Sequence, residues 1–230
     1  MLPILRLDLN QQLYLRDPQA TALGRRVLAE SVHLLEEIGF EAFTFKKLAL
    51  ALSSTEASIY RYFENKHRLL TYLVSWHWAW LRFRVQYSLH NVSDPCQRLH
   101  HALTAVCEAG VDDPATPDFD EAALYRVVVA EASKAYLTKE VDADNRAGLF
   151  REYKQLVADL VAVVQAVNPA YPHSHALVST LLEAARNQFF FARHLPSLTD
   201  PGADVRTFLE HLALAALAPA RPHGPAVGPG

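Results

Sequence analysis

The chain has 230 residues, of which 50% are hydrophobic, and its formal net charge at pH 7 is only −3. This composition supports a sizeable buried core and excludes a disordered or fibrous protein. The small charge excludes a uniformly basic nucleic-acid binder, and no apolar run is long enough to span a membrane. The N-terminus lacks the pattern of a secretory signal, so we expect a cytoplasmic protein that does not bind membranes.

The N-terminal part of the chain predicts an arm followed by short helices. The arm is residues 1–19, and within it residues 2–16 alternate apolar and polar side chains in two short pieces with a strand-like period. After the arm the period becomes helical, and Gly39 provides a C-terminal stop for the first helix. Thr44 and Thr55 are candidate N-caps for a second and a third helix, and Asn65 is a candidate N-cap for a fourth.

The fourth helix, predicted from Lys66 to about His90, carries apolar side chains on two opposite faces. Such a helix is sandwiched between other helices. Asp94 and Pro95 predict the start of a fifth helix. Further helical patterns cover residues 119–137, 138–167, 175–195 and 204–217.

No pattern typical of a central strand appears, so the sequence predicts an all-α fold. We expect an N-terminal three-helix head with a helix-turn-helix at residues 20–67. A larger helical domain for ligand binding and dimerisation is expected at residues 68–218. The Pro/Gly-rich tail, residues 219–230, is predicted to be disordered.

The stretch STEASIYRYFENKHRLL, Ser54 to Leu70, is the most informative for function. The second and third predicted helices are separated by a few small residues, which is typical of a helix-turn-helix. In that motif the later helix enters the major groove of DNA, while hydroxyls and basic groups contact phosphates. Residues 25–68 contain seven Lys or Arg and six Asp or Glu, so binding must depend on where the charges lie.

The segment from Gly24 to Leu70 resembles the DNA-binding head of the TetR family of bacterial transcription regulators. The resemblance rests on a Gly-aromatic pair (Gly39, Phe40), a threonine cap, and a Tyr-Arg-aromatic-Phe run that is followed by a lysine. It implies a homodimer that binds a palindromic double-stranded DNA operator. It also implies that the larger domain binds a small-molecule effector, so that the protein is a ligand-responsive regulator, with repression as the favoured role.

The resemblance also implies which residues contact DNA. Phosphate contacts are expected from Thr44, Tyr60, Tyr62 and Lys66, with Lys46 and Lys47 adding positive charge. The residues expected nearest the bases are Ser54, Thr55, Glu56, Ala57, Ser58 and Arg61. The sequence departs from the family at Ser53 and Ala57, where Gly is common, and at Glu56, where Lys or Arg is common.

Glu56 has three alternative interpretations. An acid in the first turn of a helix stabilises that helix by about 0.3–1 kcal/mol. Alternatively, the carboxylate accepts a hydrogen bond from cytosine N4 and contributes to base recognition. The third interpretation is a head that no longer binds DNA well.

The predicted larger domain offers candidates for an effector site and for a dimer interface. The aromatic and polar ligand candidates are Trp76, His77, Trp80, Glu108, Tyr125, Glu131, Tyr136 and Phe150. Two stripes on the last helices would form a four-helix interface with a second copy. The interface candidates are Leu181, Ala184, Ala185, Gln188, Ala192, Phe208, Leu212 and Ala216. The alternative is that both stripes face the core of the monomer.

The sequence leaves two rival functions. An enzyme is disfavoured, because the sequence offers no nucleophile with a base, no glycine-rich phosphate loop and no complete metal set. We therefore predict no catalytic residues, no metal and no cofactor. The second rival is an all-helical ligand-binding or interaction protein whose head has lost DNA binding.

Overall fold

The computed structural model describes residues 6–111, 120–200, 202 and 204–218. Within these residues the chain is built from helices and turns without a strand, which confirms the all-α prediction. The predicted tail, residues 219–230, lies outside the described residues. The helices are α1 (Ala22–Ala42), α2 (Phe45–Ala51), α3 (Glu56–Tyr60), α4 (Lys66–Ser88), α5 (Pro95–Cys107), α6 (Glu121–Glu131), α7 (Ser133–Tyr136), α8 (Val141–Arg146), α9 (Arg151–Val167), α10 (Ser174–His194) and α11 (Val205–Leu217).

The helices of the head begin where local hydrogen bonds cap them. The side chains of Thr44, Thr55 and Asn65 accept hydrogen bonds from the backbone N–H three residues later, at the starts of α2, α3 and α4. Each cap satisfies one of the four backbone donors that a helix start leaves unpaired. Gly39 has a φ of +71°, so the regular part of α1 ends there as predicted, although one more turn continues to Ala42.

The strand-like arm is a prediction that the structure contradicts. Described residues 6–20 contain only two short 3-10 turns. Leu9 and Leu13 are buried, four residues apart, in the common core. The Leu15 N–H donates to the carbonyl of Tyr62 in the head, and the Asn10 amide donates to the carbonyl of Ala147. A strand needs a neighbouring strand to pair its backbone groups, and this segment has none among the described residues. Its backbone and side chains instead bond to the head and to the larger domain.

Helix α4 lies at the centre of the larger domain. It packs against α9, α5 and α6, which is the sandwiched position that its two apolar faces predict. Trp76 and Trp80 on one face are fully buried, and Leu81 and Val85 are buried on the other. Helix α9 also contacts α10, and α11 covers α5 and α10 at the far end. The head joins this domain through α4 itself and through packing of α1 on α6.

Two of the long helical patterns are divided in the structure. The pattern at 138–167 forms α8 and α9, with Gly148 between them at a φ of +74°. A residue with that backbone conformation interrupts a right-handed helix, and Gly adopts it at little steric cost. The pattern at 119–137 forms α6 and the single-turn α7. The apolar period continues across both breaks, so the period alone did not predict them.

Candidate nucleic-acid interface

Helix α3 is held on the head by a single buried side chain and one aromatic contact. Of its five residues only Ile59 is buried. The Tyr60 ring lies edge-on against Phe45 of α2, with 5.0 Å between the centroids, while 48% of Tyr60 remains exposed. The remaining side chains of α3 therefore point away from the core. This is the arrangement required of a helix that enters a groove of DNA.

The turn between α2 and α3 is tight and contains a strained residue. Ser53 has a φ of +51°, in the left-handed region that L residues with a side chain rarely adopt. The next N–H, that of Ser54, donates to the carbonyl of Ala49 at 2.8 Å and closes the end of α2. Ser53 therefore holds the position where a glycine would fit without strain.

The predicted DNA-binding residues are brought together on one surface, with two exceptions. The residues that lie exposed on this surface are Thr44, Lys46, Lys47, Thr55, Glu56, Ala57, Tyr60 and Arg61, and those half-buried at its edge are Ser54 and Ser58. Three cations and a single acid, Glu56, belong to this set. Its local charge is therefore more positive than that of the head as a whole, which is the placement that phosphate contacts need.

Tyr62 is the first exception. It is only 2% exposed, and its hydroxyl lies 2.7 Å from Oγ1 of Thr21, the residue that caps α1. The resemblance implied a phosphate contact for Tyr62, whereas the structure places this hydroxyl inside the head. A buried hydroxyl needs a hydrogen-bond partner, and Thr21 provides it.

Lys66 is the second exception. Its ammonium donates to three backbone carbonyls at the end of α1, those of Phe40, Glu41 and Phe43. These carbonyls belong to the orphan acceptors that every helix end leaves unpaired. Lys66 therefore joins α1 to α4 in this conformation, and its three donors are already occupied.

Half of the predicted ligand residues form one cluster inside the larger domain. Trp76, His77 and Trp80 of α4 meet Tyr125 of α6, and all four side chains are buried. The His77 ring stacks on Tyr125 at 5.5 Å and lies 6.0 Å from the Trp80 ring, centroid to centroid. Burial lowers the pKa of His77 to about 3, with a smaller contribution from the charge of Arg186, so this imidazole is neutral.

The other predicted ligand residues lie elsewhere. Glu108 is mostly exposed and pairs with Arg84, while Phe150 is half-buried at the start of α9. Tyr136 accepts a hydrogen bond from Arg186 of α10. Glu131 is buried at the junction with the head, where its Oε1 accepts from the Phe40 N–H at 3.0 Å. Glu131 therefore links α6 to α1 and does not line the aromatic cluster.

A crevice of about 420 Å³ lies between α1, α6 and α10. Phe189 lines it and also packs edge-on against Tyr125, with 4.7 Å between the ring centroids. The polar groups of the crevice include Arg193 and the ion pair between Glu36 and Arg126. The side chain of Arg126 holds the pKa of Glu36 below its usual range. Phe189 and Arg186 were absent from the predicted site, because sequence periodicity does not say which elements α10 faces.

The predicted dimer stripe is partly wrong. Leu181 and Ala185 are each 4% exposed and pack inside the monomer, because α9 lies against that side of α10. Phe208 and Leu212 of α11 are 50% and 39% exposed, and Ala192 is exposed as well. The half-buried members are Ala184, Gln188 and Ala216. The exposed part of the stripe therefore lies on α11 and at the end of α10.

The described residues also constrain other kinds of site. No group of three or more His, Cys, Asp or Glu side chains in this part of the chain is placed to hold a metal ion. None of the described helices is both long enough and apolar enough to cross a membrane.

Comparison with known proteins points to one family. The family model for bacterial regulatory proteins of the tetR family matches residues 27–73. Nucleoid occlusion factor SlmA from Haemophilus influenzae is 29% identical over 91 residues, which are 39% of this chain and 42% of SlmA. The match thus spans less than half the length of this relative.

Solved structures share the fold over most of the chain. The ketosteroid transcriptional regulator KstR2 of Mycobacterium tuberculosis has 18% identity and a TM-score of 0.54, covering 84% of this chain and 93% of its own. AibR in complex with isovaleryl coenzyme A and operator DNA has 15% identity and a TM-score of 0.58, covering 85% of this chain and 100% of its own. At these identities the similarity concerns the fold.

Proposed function

We propose that this chain, a member of the TetR family by its head and by its fold, is a homodimeric repressor that binds a palindromic DNA operator and responds to a small-molecule effector. The observation that carries the proposal is the presentation of α3. Four of its five side chains project from the head, next to the cations of α2. A short helix held from behind in this way docks into a major groove.

We expect the surface around α3 to make two kinds of contact with DNA, to phosphates and to bases. Thr44, Lys46 and Lys47 at the start of α2, together with Tyr60, are placed to contact phosphates, which fix the position of the head on the duplex. The side of α3 that points away from the core, together with the residues next to its ends, is proposed to face the bases. These residues are Ser54, Thr55, Glu56, Ala57, Ser58 and Arg61.

Dimerisation is proposed through the exposed part of α10 and α11. A single head contacts one half-site of the operator. The head of a two-fold related partner contacts the second half-site, about one helical turn of DNA away. Phe208 and Leu212 expose apolar surface on α11, where Ala216 is half-buried, and Ala192 is exposed near the end of α10. Small side chains let helices of two subunits approach closely, and the aromatic ring supplies the apolar area.

The larger domain is proposed to bind the effector. AibR, whose structure contains isovaleryl coenzyme A and operator DNA, and KstR2, named as a ketosteroid regulator, support this role. Helix α4 begins in the head at Lys66 and carries the buried cluster of Trp76, His77 and Trp80. A shift of α4, or of α6 against α1, would therefore change the position of the head.

A binding-site selection with random DNA duplexes tests this function. The proposal predicts enrichment of a palindrome whose half-sites are about 10 base pairs apart, with affinity that falls steeply as salt rises. Size-exclusion chromatography with light scattering should give twice the mass of the chain. Failure to enrich a palindrome, combined with weak, salt-independent association, would favour the alternative of a helical ligand-binding or interaction protein.

A further inference from the structure

The crevice between the head and the larger domain has the size of a small-molecule site. Its volume is about 420 Å³, within the range of about 300–1,000 Å³ that ligand pockets occupy. Helix α1 of the head forms one wall, and α6 and α10 of the larger domain form the others. A molecule bound here would therefore contact both parts of the protein.

The walls of the crevice offer apolar surface that the protein leaves partly uncovered. Phe189 and Phe190 of α10 and Val129 of α6 line the crevice, and each of them is only half-buried. Ala130, the next residue of α6, is exposed. Apolar surface of this kind is removed from water when a hydrocarbon group covers it, which favours binding. The walls therefore suit a ligand that has a hydrocarbon part.

The two carboxylates that line the crevice are already compensated by cations. Glu36 of α1 accepts two hydrogen bonds from the guanidinium of Arg126 on α6. The Oε1 of Glu131 accepts from the Phe40 N–H, and its Oε2 lies 2.8 Å from the Lys134 ammonium. This ammonium offsets the charge of Oε2, although the two groups lack the alignment of a hydrogen bond. A cationic ligand would therefore meet no uncompensated carboxylate.

Arg193, in the last turn of α10, lines the crevice with a cation that has no such partner. Its side chain is exposed, and its guanidinium makes no hydrogen bond or ion pair with the described part of the chain. The pKa of Glu36 is lowered chiefly by Arg126 and also by the charge of Arg193. The free guanidinium therefore lies near the ion pair that joins α1 to α6.

One free guanidinium matches a ligand with a single negative charge. Guanidinium groups bind carboxylates through two parallel hydrogen bonds. A phosphate monoester carries about −1.5 to −2 charges at pH 7, which one cation does not compensate. The His194 ring, 4.7 Å from the Phe190 ring, adds a second positive charge only when it is protonated. A carboxylate on a hydrocarbon chain therefore fits both the charge and the walls of the crevice.

We propose that this crevice binds an amphipathic carboxylate as the effector, an inference that rests on the proposed function. The carboxylate pairs with Arg193, and the hydrocarbon part lies against Val129, Phe189 and Phe190. Because α1 belongs to the head and α6 and α10 belong to the larger domain, an occupant holds the head at one position relative to that domain. Binding of the carboxylate is thereby linked to binding of the operator.

Four probes with the same octyl chain test the chemical class on the full-length protein. Octanoate carries the carboxylate, octan-1-ol is neutral, octylammonium has the opposite charge, and octyl phosphate has a larger negative charge. Octanoate should bind saturably by calorimetry and shift the backbone amide resonances of Ala130 and Phe190. It should bind about three- to tenfold more tightly than octan-1-ol, because the carboxylate gains hydrogen bonds to a charged donor. Octylammonium and octyl phosphate should both bind more weakly than octanoate.

Arg193→Gln removes the positive charge and keeps a polar side chain. It should weaken octanoate binding about three- to tenfold and leave the affinity for octan-1-ol unchanged. Arg146→Gln is the matched control, because Arg146 is an exposed arginine of α8 outside the lining of the crevice. This control should bind octanoate as the parent chain does.

Ala130→Phe tests the location of the site by filling part of the crevice from an exposed position. It should weaken octanoate binding at least about tenfold, since the ring occupies the space of the hydrocarbon chain. Ala158→Phe, at an exposed position of α9, is the control and should not affect binding. Far-ultraviolet circular dichroism and the melting temperature show whether the variants are folded. Undiminished binding of octanoate to Ala130→Phe would overturn the assignment to this crevice.

Fluorescence anisotropy with the selected operator measures the link between the crevice and DNA. Saturating octanoate should change the operator affinity at least about fivefold, and the operator should change the octanoate affinity by the same factor. If octanoate bound as predicted and left the operator affinity unchanged, the crevice would not be the effector site.

The outcomes separate this inference from the proposed function. Equal affinity for the four probes, tighter binding of octyl phosphate, or unchanged octanoate binding by Arg193→Gln would overturn the carboxylate assignment. In each of those cases selection of an operator by the unliganded protein would still support DNA binding. Failure of the operator selection would instead remove the regulatory role, while the calorimetry would still support binding of the carboxylate in the crevice.

Discussion

The Lys66 ammonium lies 4.6 Å from the centroid of the Phe40 ring and donates to the Phe40 carbonyl at 2.9 Å. The carbonyls of Glu41 and Phe43 accept from the same ammonium at 3.2 and 3.3 Å. The first residue of α4 therefore closes the last turn of α1. Three hydrogen bonds and a cation–π contact connect the two helices that position the head.

Replacing Lys66 tests whether this ammonium supports the fold or contacts DNA. Lys66→Met keeps the aliphatic stem, and we expect it to lower the free energy of unfolding by about 1–2 kcal/mol, because the carbonyls lose a charged donor. Urea denaturation measures the change. Lys46→Met, at an exposed position of α2, is the control and should change the stability little.

The salt dependence of operator binding distinguishes the two roles of Lys66. If the ammonium stays on the carbonyls, Lys66→Met leaves the slope of log affinity against log salt unchanged. A slope that decreases by about one unit would mean that Lys66 moves to a phosphate when DNA binds.

Ser53→Gly should stabilise the protein. The φ of +51° at Ser53 is strained for a residue with a Cβ atom, and Gly adopts it freely. We expect a gain of about 1 kcal/mol, measured by thermal or urea unfolding. Ser54→Gly is the matched control one residue later, where φ is not positive, and it should not stabilise. A loss of stability in Ser53→Gly would contradict the interpretation of strain.

The two tyrosines near the end of α3 should respond differently to loss of their hydroxyls. Tyr62→Phe leaves Thr21 without its buried partner and should cost about 1 kcal/mol of stability, with the affinity for operator nearly unchanged. Tyr60→Phe should preserve stability and weaken operator binding through a lost phosphate contact. Parallel unfolding and fluorescence-anisotropy titrations measure both effects. If Tyr62→Phe weakened operator binding and left the stability unchanged, Tyr62 would have to leave the core when DNA binds.

Glu56→Gln tests the acid on the exposed front of α3. Glu56 occupies the first turn of that helix, and its carboxylate complements the positive end of the helix dipole. We expect a stability loss of about 0.3–1 kcal/mol and an unchanged base preference in the operator selection. A changed preference at one base pair would instead establish a contact with cytosine, and a uniform gain in affinity would show that the acid only repelled the phosphates.

His77 should make the stability depend on pH. Its folded pKa of about 3 lies below the ordinary value of 6.5, so the unfolded chain binds the extra proton between these values. Stability from this group is present above pH 6.5 and is lost as the pH falls toward 3. The loss between pH 7 and pH 5 should be about 2 kcal/mol.

The His77→Phe variant should flatten this part of the stability profile, as measured by urea unfolding at each pH. His175→Phe, at an exposed histidine of α10, is the control and should keep the parent profile. A parent profile that does not change between pH 7 and pH 5 would show that His77 is hydrated or protonated in the folded protein.

The sequence by itself determined the starts of α2, α3, α4 and α5 and the family that the head resembles. Thr44, Thr55, Asn65 and Asp94 each cap a helix by accepting from the N–H three residues later. A cap is a local hydrogen bond, so its residues lie within one turn of sequence and are visible without knowing the fold. The two apolar faces of α4 likewise predicted its central position.

Only the tertiary structure decided which side of a helix meets which neighbour. Tyr62 and Lys66 carry groups suited to DNA, yet Thr21 and the end of α1 bind them within the protein. Leu181 has the spacing of an interface residue but packs inside the monomer. The physical reason is that a periodic pattern fixes only the relative directions of side chains on one helix. The partner of each face depends on how distant segments pack, and that information is not contained in any local stretch of the chain.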